Sequence, residues 1–212
     1  MKNDGQFKQT SFVLDLLKNK KDGFFIEFGA YDGIQGSNTL ELEQMGWNGI
    51  LGECDPRVID LLKSNRPKSK IETSLIWSKS NESVIFHSID GGKLSTVHNV
   101  YEKGAHPKVY MRNSIEYNIN TISLNDLLIK HNAPKKIDFV SVDVEGAEYE
   151  ILHAFDFSYE VDVWCIEHWM DFEKIKSLME SKGYIHQYNY ESWWSKMDRY
   201  IESYFLLNKK EK

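Results

Sequence analysis

The stretch that decides the fold is FFIEFGAYDGIQGSNTLELE, Phe24 to Glu43. An apolar run meets Glu27, passes through Gly29, Gly33 and Gly36, and turns into a helical pattern. A strand ending in an acid and a glycine turn is the entry to a ligand-binding βα unit of an open α/β sheet. Asn38, with Glu41 three residues on, has the spacing of a capping box at the start of the helix.

Working outward, NGILGE is a short buried strand ending at Glu53, and Asp55-Pro56 reads as the cap and first turn of a helix through Ser64. KIETSLIW reads as a third strand. This β-α-β-α-β order implies a parallel, doubly wound sheet. Upstream, Phe12/Val13 and Leu16/Leu17 recur with helical spacing between Ser11 and Lys20. ESVIFHSI and SIEYNINTISL carry strand patterns, and Ser123 caps the helix that follows. KIDFVSVDVEGAEYEIL is strand, acidic turn and helix; VDVWCIEH is a further buried strand; a helix from Asp171 stops at Gly183. YIHQYNY and YIESYFLLN form a closing hairpin around ESWWSKMDR.

No repeat or composition break divides the 212 residues, so a single domain is expected. Residues 22–90 form a cofactor-binding half, 91–113 a lid or substrate loop rich in glycine and poor in periodicity, and 114–212 a second half with the catalytic strand ends. The net charge of -6 argues against general nucleic-acid binding, which needs a basic surface to displace counterions. No apolar run reaches membrane-spanning length, and MKNDGQFKQTSF lacks the apolar middle of a signal peptide, so a cytoplasmic enzyme is expected. Cys54 and Cys165 have no metal spacing and read as buried free thiols.

Four acidic strand ends carry the chemistry. A dinucleotide fingerprint asks for G-x-G-x-x-G, but Tyr31 stands where its second glycine belongs, which disfavours an NAD(P)-dependent oxidoreductase. Glu27 at a strand tip suits a cofactor with a positive amino group, and Gly29 admits the ligand to the backbone. The helix start near Asn38 offers N–H groups to a carboxylate, unless Asn38 serves as a cap alone. S-adenosylmethionine meets both requirements. Glu53 has the position of a ribose-binding acid, with a solvated strand end as the plainer reading. Asp143 and Glu145 fall where the strand order should reverse, whereas Glu148 reads as a helix-start acid. His168, after Glu167, is a candidate general base or simply a hydrogen-bonded histidine. Asp143, Glu145, Glu167 and His168 are also ligand types for a divalent metal, without a spacing that specifies a site. Trp193 and Trp194 can stack on a sugar or pack the hairpin, and His98 and His106 in the lid can touch substrate or solvent.

Together these residues resemble the FkbM-like methyltransferases, a branch of the class I S-adenosylmethionine-dependent enzymes. The resemblance rests on Phe24–Pro56, TISLNDLL, IDFVSVDVEGAEYEIL and IEH, in family order from about Phe24 to Tyr184. It implies a Rossmann-like, seven-stranded, mostly parallel sheet with helices on both faces and an antiparallel edge pair. It places the cofactor around Glu27, Gly29, Tyr31 and Glu53, with Asp32, Gly33, Asn38 and Asp143 completing the set. The implied reaction is methyl transfer to oxygen, often a hydroxyl of a sugar or natural product. Asp143 would orient the cofactor or acceptor, and Glu145 or His168 would take the proton. Many relatives read glutamate-proline after the second strand; here Glu53-Cys54-Asp55-Pro56 leaves Asp55 as the alternative ribose acid. The rival of another class is a methyltransferase-like fold used as a binding module.

Overall fold

The computed structural model describes residues 9–92, 95–101, 114–168, 171–190 and 201–208. In chain order the elements are α1 (Gln9–Leu16), β1 (Phe24–Phe28), α2 (Leu40–Gln44), β2 (Asn48–Gly52), α3 (Ile59–Asn65), β3 (Lys70–Glu72), β4 (Leu75–Trp77) and β5 (Ser83–Ser88). After a short 3-10 turn follow β6 (Thr96–Val97), α4 (His98–Tyr101), β7 (Ile115–Ser123), α5 (Leu124–Lys130), β8 (Lys136–Val142) and α6 (Glu148–Ala154). The last elements are β9 (Glu160–His168), α7 (Phe172–Ser181), β10 (Tyr184–Tyr190) and β11 (Ile201–Leu207).

The main sheet has seven strands in the order β10-β11-β9-β8-β1-β2-β3. β3, β2, β1, β8 and β9 run parallel, and β11 is antiparallel to both β9 and β10. Chain order moves outward from β1 to β3, then restarts at β8 on the other side of β1. The crevice beyond the carboxyl ends of β1 and β8 is therefore the topological switch point, where such sheets bind ligands.

Central strands buried on both faces explain the apolar runs of the sequence. One face packs Val13 of α1, Leu42 of α2 and Leu62 of α3 against Phe25, Leu51, Phe139 and Val163. The other packs Leu127 and Leu128 of α5, Ile151 and Leu152 of α6, and Ile175 and Met179 of α7 against Ile26, Ile50, Val140 and Trp164. Ser123 caps α5 as expected, its hydroxyl accepting the Asp126 N–H at 3.2 Å.

Three local expectations are corrected. KIETSLIW is two strands: β3 closes the main sheet, while β4 joins a second sheet of order β4-β7-β5-β6. The break follows Glu72, whose side chain takes the Ser74 N–H at 2.9 Å and turns the chain. Asn38 is no cap: α2 starts at Leu40, and the Ser37 hydroxyl accepts the Leu40 N–H at 3.1 Å. Asp55-Pro56 opens a turn, because Asp55 accepts the Arg57 N–H at 3.0 Å and α3 begins only at Ile59. Of the expected lid stretch the structure describes residues 91–92 and 95–101, with β6 and α4 in the latter; residues 93–94 and 102–113, including His106, lie outside the described residues, as do Trp193 and Trp194. Among the described residues no helix is long and apolar enough to cross a membrane.

Gly49 of β2 faces Phe25 in register, and a Cβ there would come within 2.1 Å of the Phe25 ring. Gly49→Ala is expected to overpack this site and lower the unfolding free energy by about 1–3 kcal/mol. Urea denaturation reads this directly, and an unchanged midpoint would contradict the packing described.

Candidate active site

The glycine turn is built on two buried charges. Glu27 accepts the Asn38 N–H at 2.7 Å on one oxygen, and the Ser37 hydroxyl at 3.0 Å and the Thr39 hydroxyl on the other. Arg66, fully buried at the end of α3, lies 4.0 Å from Glu27 and donates to Glu43 at 3.1 Å, the Gly33 carbonyl at 3.1 Å, Ser37 at 3.0 Å and Thr39 at 3.1 Å. Burial raises the Glu27 carboxyl above its ordinary range, with Arg66 opposing. Asn38 directs its amide to the Ser141 hydroxyl at 2.9 Å, joining the turn to β8. Asp32 accepts the Ile34 and Gln35 N–H groups at 2.8 and 2.7 Å. Gly33 adopts φ +76°, and a Cβ there would meet Arg66 at 2.5 Å. These four residues, Glu27, Asp32, Gly33 and Asn38, shape the turn from below, and none of them lines the cleft.

The cleft itself is lined by Gly29, Tyr31, Glu53 and Asp143 from the predicted cofactor set, and by Glu145 from the predicted catalytic set. It holds about 660 Å³ of space between atoms, its open mouth and the solvent there included. Glu53 accepts the Tyr31 N–H at 2.9 Å and the Asp55 N–H at 2.7 Å, so backbone from two loops fixes its carboxylate. Burial still pushes Glu53 up to about 7. Asp55 does different work: burial opposes its charge, but Arg57 and Ser88 hold it below the ordinary carboxylate range. It belongs to an ion pair with Arg57 at 3.1 Å rather than to the cleft.

The sequence missed the opposite wall. Cys54, Leu75, Ile76, Phe86 and Val97 make it apolar, with Gly92, Ser95 and Thr96 at its rim. Most of this wall belongs to the second sheet, whose separation from β3 is marked in sequence only by Thr73-Ser74. The Thr96 hydroxyl donates to the Glu145 carbonyl at 3.0 Å, tying this sheet to the acidic turn after β8. His98 of the expected lid bonds His87 across 2.9 Å.

Asp143 is half-buried, and loss of solvent, with Glu27 nearby, raises its carboxyl. Glu148 supports the turn, accepting the Gly146 and Val144 N–H groups at 3.0 and 3.3 Å, and burial pushes it to about 7. His168 does not line the cleft. It bonds Ser203 at 2.6 Å and stacks on Phe172, and burial followed by His186 lowers it to about 4. Among the described residues no three His, Cys, Asp or Glu side chains are grouped to hold a metal ion, so the metal set drawn from the sequence does not assemble.

Two expectations follow. Arg66→Ala leaves Glu27 and Glu43 buried without their cation, a loss of about 3–5 kcal/mol in chemical unfolding; Lys at this position lacks the guanidinium fork and is expected to restore little of it. The second concerns pH. Glu53 and Glu148 titrate higher folded than unfolded, so their contribution is full below about pH 4.5 and is lost as pH rises through about 7. Glu72 has the opposite sign: despite burial, Lys130 and the Ser74 N–H hold it at about 2, so its contribution is lost as pH falls from about 4.5 toward 2. The ligand-free protein is therefore expected to unfold at lower urea at pH 8 than at pH 5.5, and a flat or rising profile over that interval would refute the assignment.

The family model for the methyltransferase FkbM domain matches residues 27–186. No curated protein matches the chain. Among solved structures it is similar to the precorrin-6y C5,15-methyltransferase from Geobacter metallireducens, with 12% identity and TM-score 0.51 over 95% of this chain and 88% of that one. It is also similar to TrmK of M. capricolum in complex with S-adenosylhomocysteine, at 11% identity and TM-score 0.51 over 93% and 68% of the two chains. The METTL16 methyltransferase domain gives 13% identity and TM-score 0.54, over 92% of this chain and 64% of that one. The strand order and the family match agree: this chain belongs to the FkbM methyltransferase domain family and is a class I S-adenosylmethionine-dependent methyltransferase.

Proposed function

We propose that the chain methylates a hydroxyl oxygen of a sugar or other small molecule. The observation that carries this reading is the division of the cleft. One wall is apolar, Glu53 waits on one side, and the far end offers the carboxyls of Asp143 and Glu145, with no basic side chain among the described lining residues. Such a lining opposes a polyphosphate acceptor and favours a neutral one whose proton must be removed.

S-adenosylmethionine, when bound, supplies an electrophilic methyl group that needs little activation. The residues fit it: Gly29, where a Cβ would meet the Asp143 carbonyl at 2.0 Å, lets the turn lie against the end of β8, and Glu53 has a fixed carboxylate for the ribose hydroxyls. Cys54, Leu75, Phe86 and Val97 offer an apolar slot. Asp143 faces the reacting end, and Glu145 is the proton acceptor for the hydroxyl. With the cofactor bound, the hydroxyl oxygen would take its methyl group and Glu145 would take the hydroxyl proton. The placement of His168 outside the cleft lining favours Glu145 for this step.

Methyl-transfer assays on a panel of neutral sugars and small alcohols test the reading. Glu145→Gln is expected to lower kcat about 10²–10⁴-fold with little change in KM for S-adenosylmethionine. Glu53→Ala is expected to weaken cofactor binding about tenfold or more while kcat at saturation is largely kept. Wild-type turnover by Glu145→Gln, or methylation confined to amines, would overturn the assignment.

A further inference from the structure

Glu167 lies beside Asp143. The register pairs Val142 of β8 with Ile166 of β9, so the next residue along each chain falls on the same face of the sheet. Two neighbouring carboxyls mostly out of water repel each other when both are ionised, so one of them keeps its proton and can donate it to the other. Asp143 faces the cleft, whereas Glu167 stands behind it, 9% exposed, with its Oε2 making no hydrogen bond among the described residues. No basic side chain among the described residues forms an ion pair with either. The ionisable neighbours on this face are acids or weak acids: Glu27 on β1, Cys165 on β9, and Glu202 and Tyr204 on β11, with Glu145 and Glu148 above. The buried guanidinium of Arg66 is committed to Glu27, Glu43 and the glycine turn.

A half-buried pair with one shared proton carries one negative charge, and it presents that charge to the cleft through Asp143. We propose that the Asp143–Glu167 pair reads the charge of the cofactor, holding the sulfonium form in preference to the thioether product. The proposal rests on the S-adenosylmethionine site described above. Methyl transfer removes one positive charge from sulfur, so S-adenosylhomocysteine leaves the pair without its counter-charge. Glu167 is a positioning residue that acts through Asp143: it supplies the proton that orients the Asp143 carboxylate and keeps a second negative charge out of the site.

The test is calorimetric titration of the full chain with S-adenosylmethionine, S-adenosylhomocysteine and sinefungin, whose amine places a cation where the sulfonium stands. The wild-type protein is expected to bind both cationic ligands about tenfold more tightly than S-adenosylhomocysteine, the scale of one partly solvated charge contact. Two amide variants of the same pair then divide. Glu167→Gln still donates to Asp143, leaves its charge in place and keeps the preference. Asp143→Asn removes the charge from the cleft wall, and the three affinities converge to within about twofold. A merely structural role predicts that both variants shift all three affinities alike. Thermal unfolding of each variant checks that it is folded, and the wild-type comparison decides the matter even where a variant is not. Equal or tighter wild-type binding of S-adenosylhomocysteine, or a preference that survives Asp143→Asn, overturns the proposal while leaving the cofactor site standing. Failure of all three ligands to bind overturns both.

Discussion

A guanidinium and a carboxylate with almost no access to water hold the cofactor face in shape. Arg66 is fully buried and lies against the Phe25 ring at 5.7 Å, and Glu27 is 2% exposed. Burying either alone would be costly, and both are tolerable because nearly every polar atom around them is used. The groups they use are those of the turn itself: the Gly33 carbonyl, the Ser37 and Thr39 hydroxyls and the Asn38 N–H. Ser37 relays the network into the first N–H of α2. The turn therefore has little freedom to choose another path, and the Tyr31 N–H meets Glu53 as a consequence. Glu27, whose place at a strand tip suggested a ligand for the cofactor's amino group, spends its oxygens on this scaffold.

The second constraint is that one sheet supplies only half of a cleft. The main sheet contributes the glycine turn and the acidic strand ends; the smaller sheet between β3 and β8 contributes the apolar wall. Asp55 fastens the two, since its carboxylate takes Arg57 and the hydroxyls of Ser88 and Ser95. At the other end Thr96 is tied to the Glu145 carbonyl. Gly52 allows the close fit between sheets, because a Cβ there would meet Ile76 at 2.5 Å. An acid that reads in sequence as a helix cap is thus a bolt between layers, and that role depends on Ser88 and Ser95, more than thirty residues away.

What was legible in the sequence follows from what is local. Apolar runs bounded by glycines marked the strands, and their alternation with helical spacing implied the parallel order. The acids at the ends of β2 and β8 were legible as strand ends at the open side of such a sheet, and they line the cleft. KIETSLIW failed because three polar residues between apolar ones, Glu72 to Ser74, do not reveal that Glu72 turns the chain with its own side chain. Asn38 failed because Ser37, one residue earlier, performs the capping. The pairing of Glu167 with His168 at one crevice was in fact testable from the sequence. Adjacent strand residues point to opposite faces, so only one of them reaches the acids of β8. The register places Glu167 there, and His168 goes to Phe172 and Ser203 on the other side.

Two residues of the cleft also share a strained backbone conformation. Tyr31 and Glu145 both adopt left-handed conformations, with φ of 49° and 55°, and both line the cleft. Glycine takes such a conformation without strain, and a non-glycine residue there costs about 1–2 kcal/mol. Each sits close to a glycine that shares the bend, Gly29 or Gly33 beside Tyr31 and Gly146 beside Glu145. Fold stability alone would be served by glycine at these two positions as well. The scaffold instead carries the strain, through the Glu53 bond to the Tyr31 N–H and the Thr96 bond to the Glu145 carbonyl, and so keeps an aromatic ring and a carboxyl at the two sides of one cleft. Phe157, packed against the core with φ of 56°, carries the same kind of strain, so what sets Tyr31 and Glu145 apart is the cleft that both of them line.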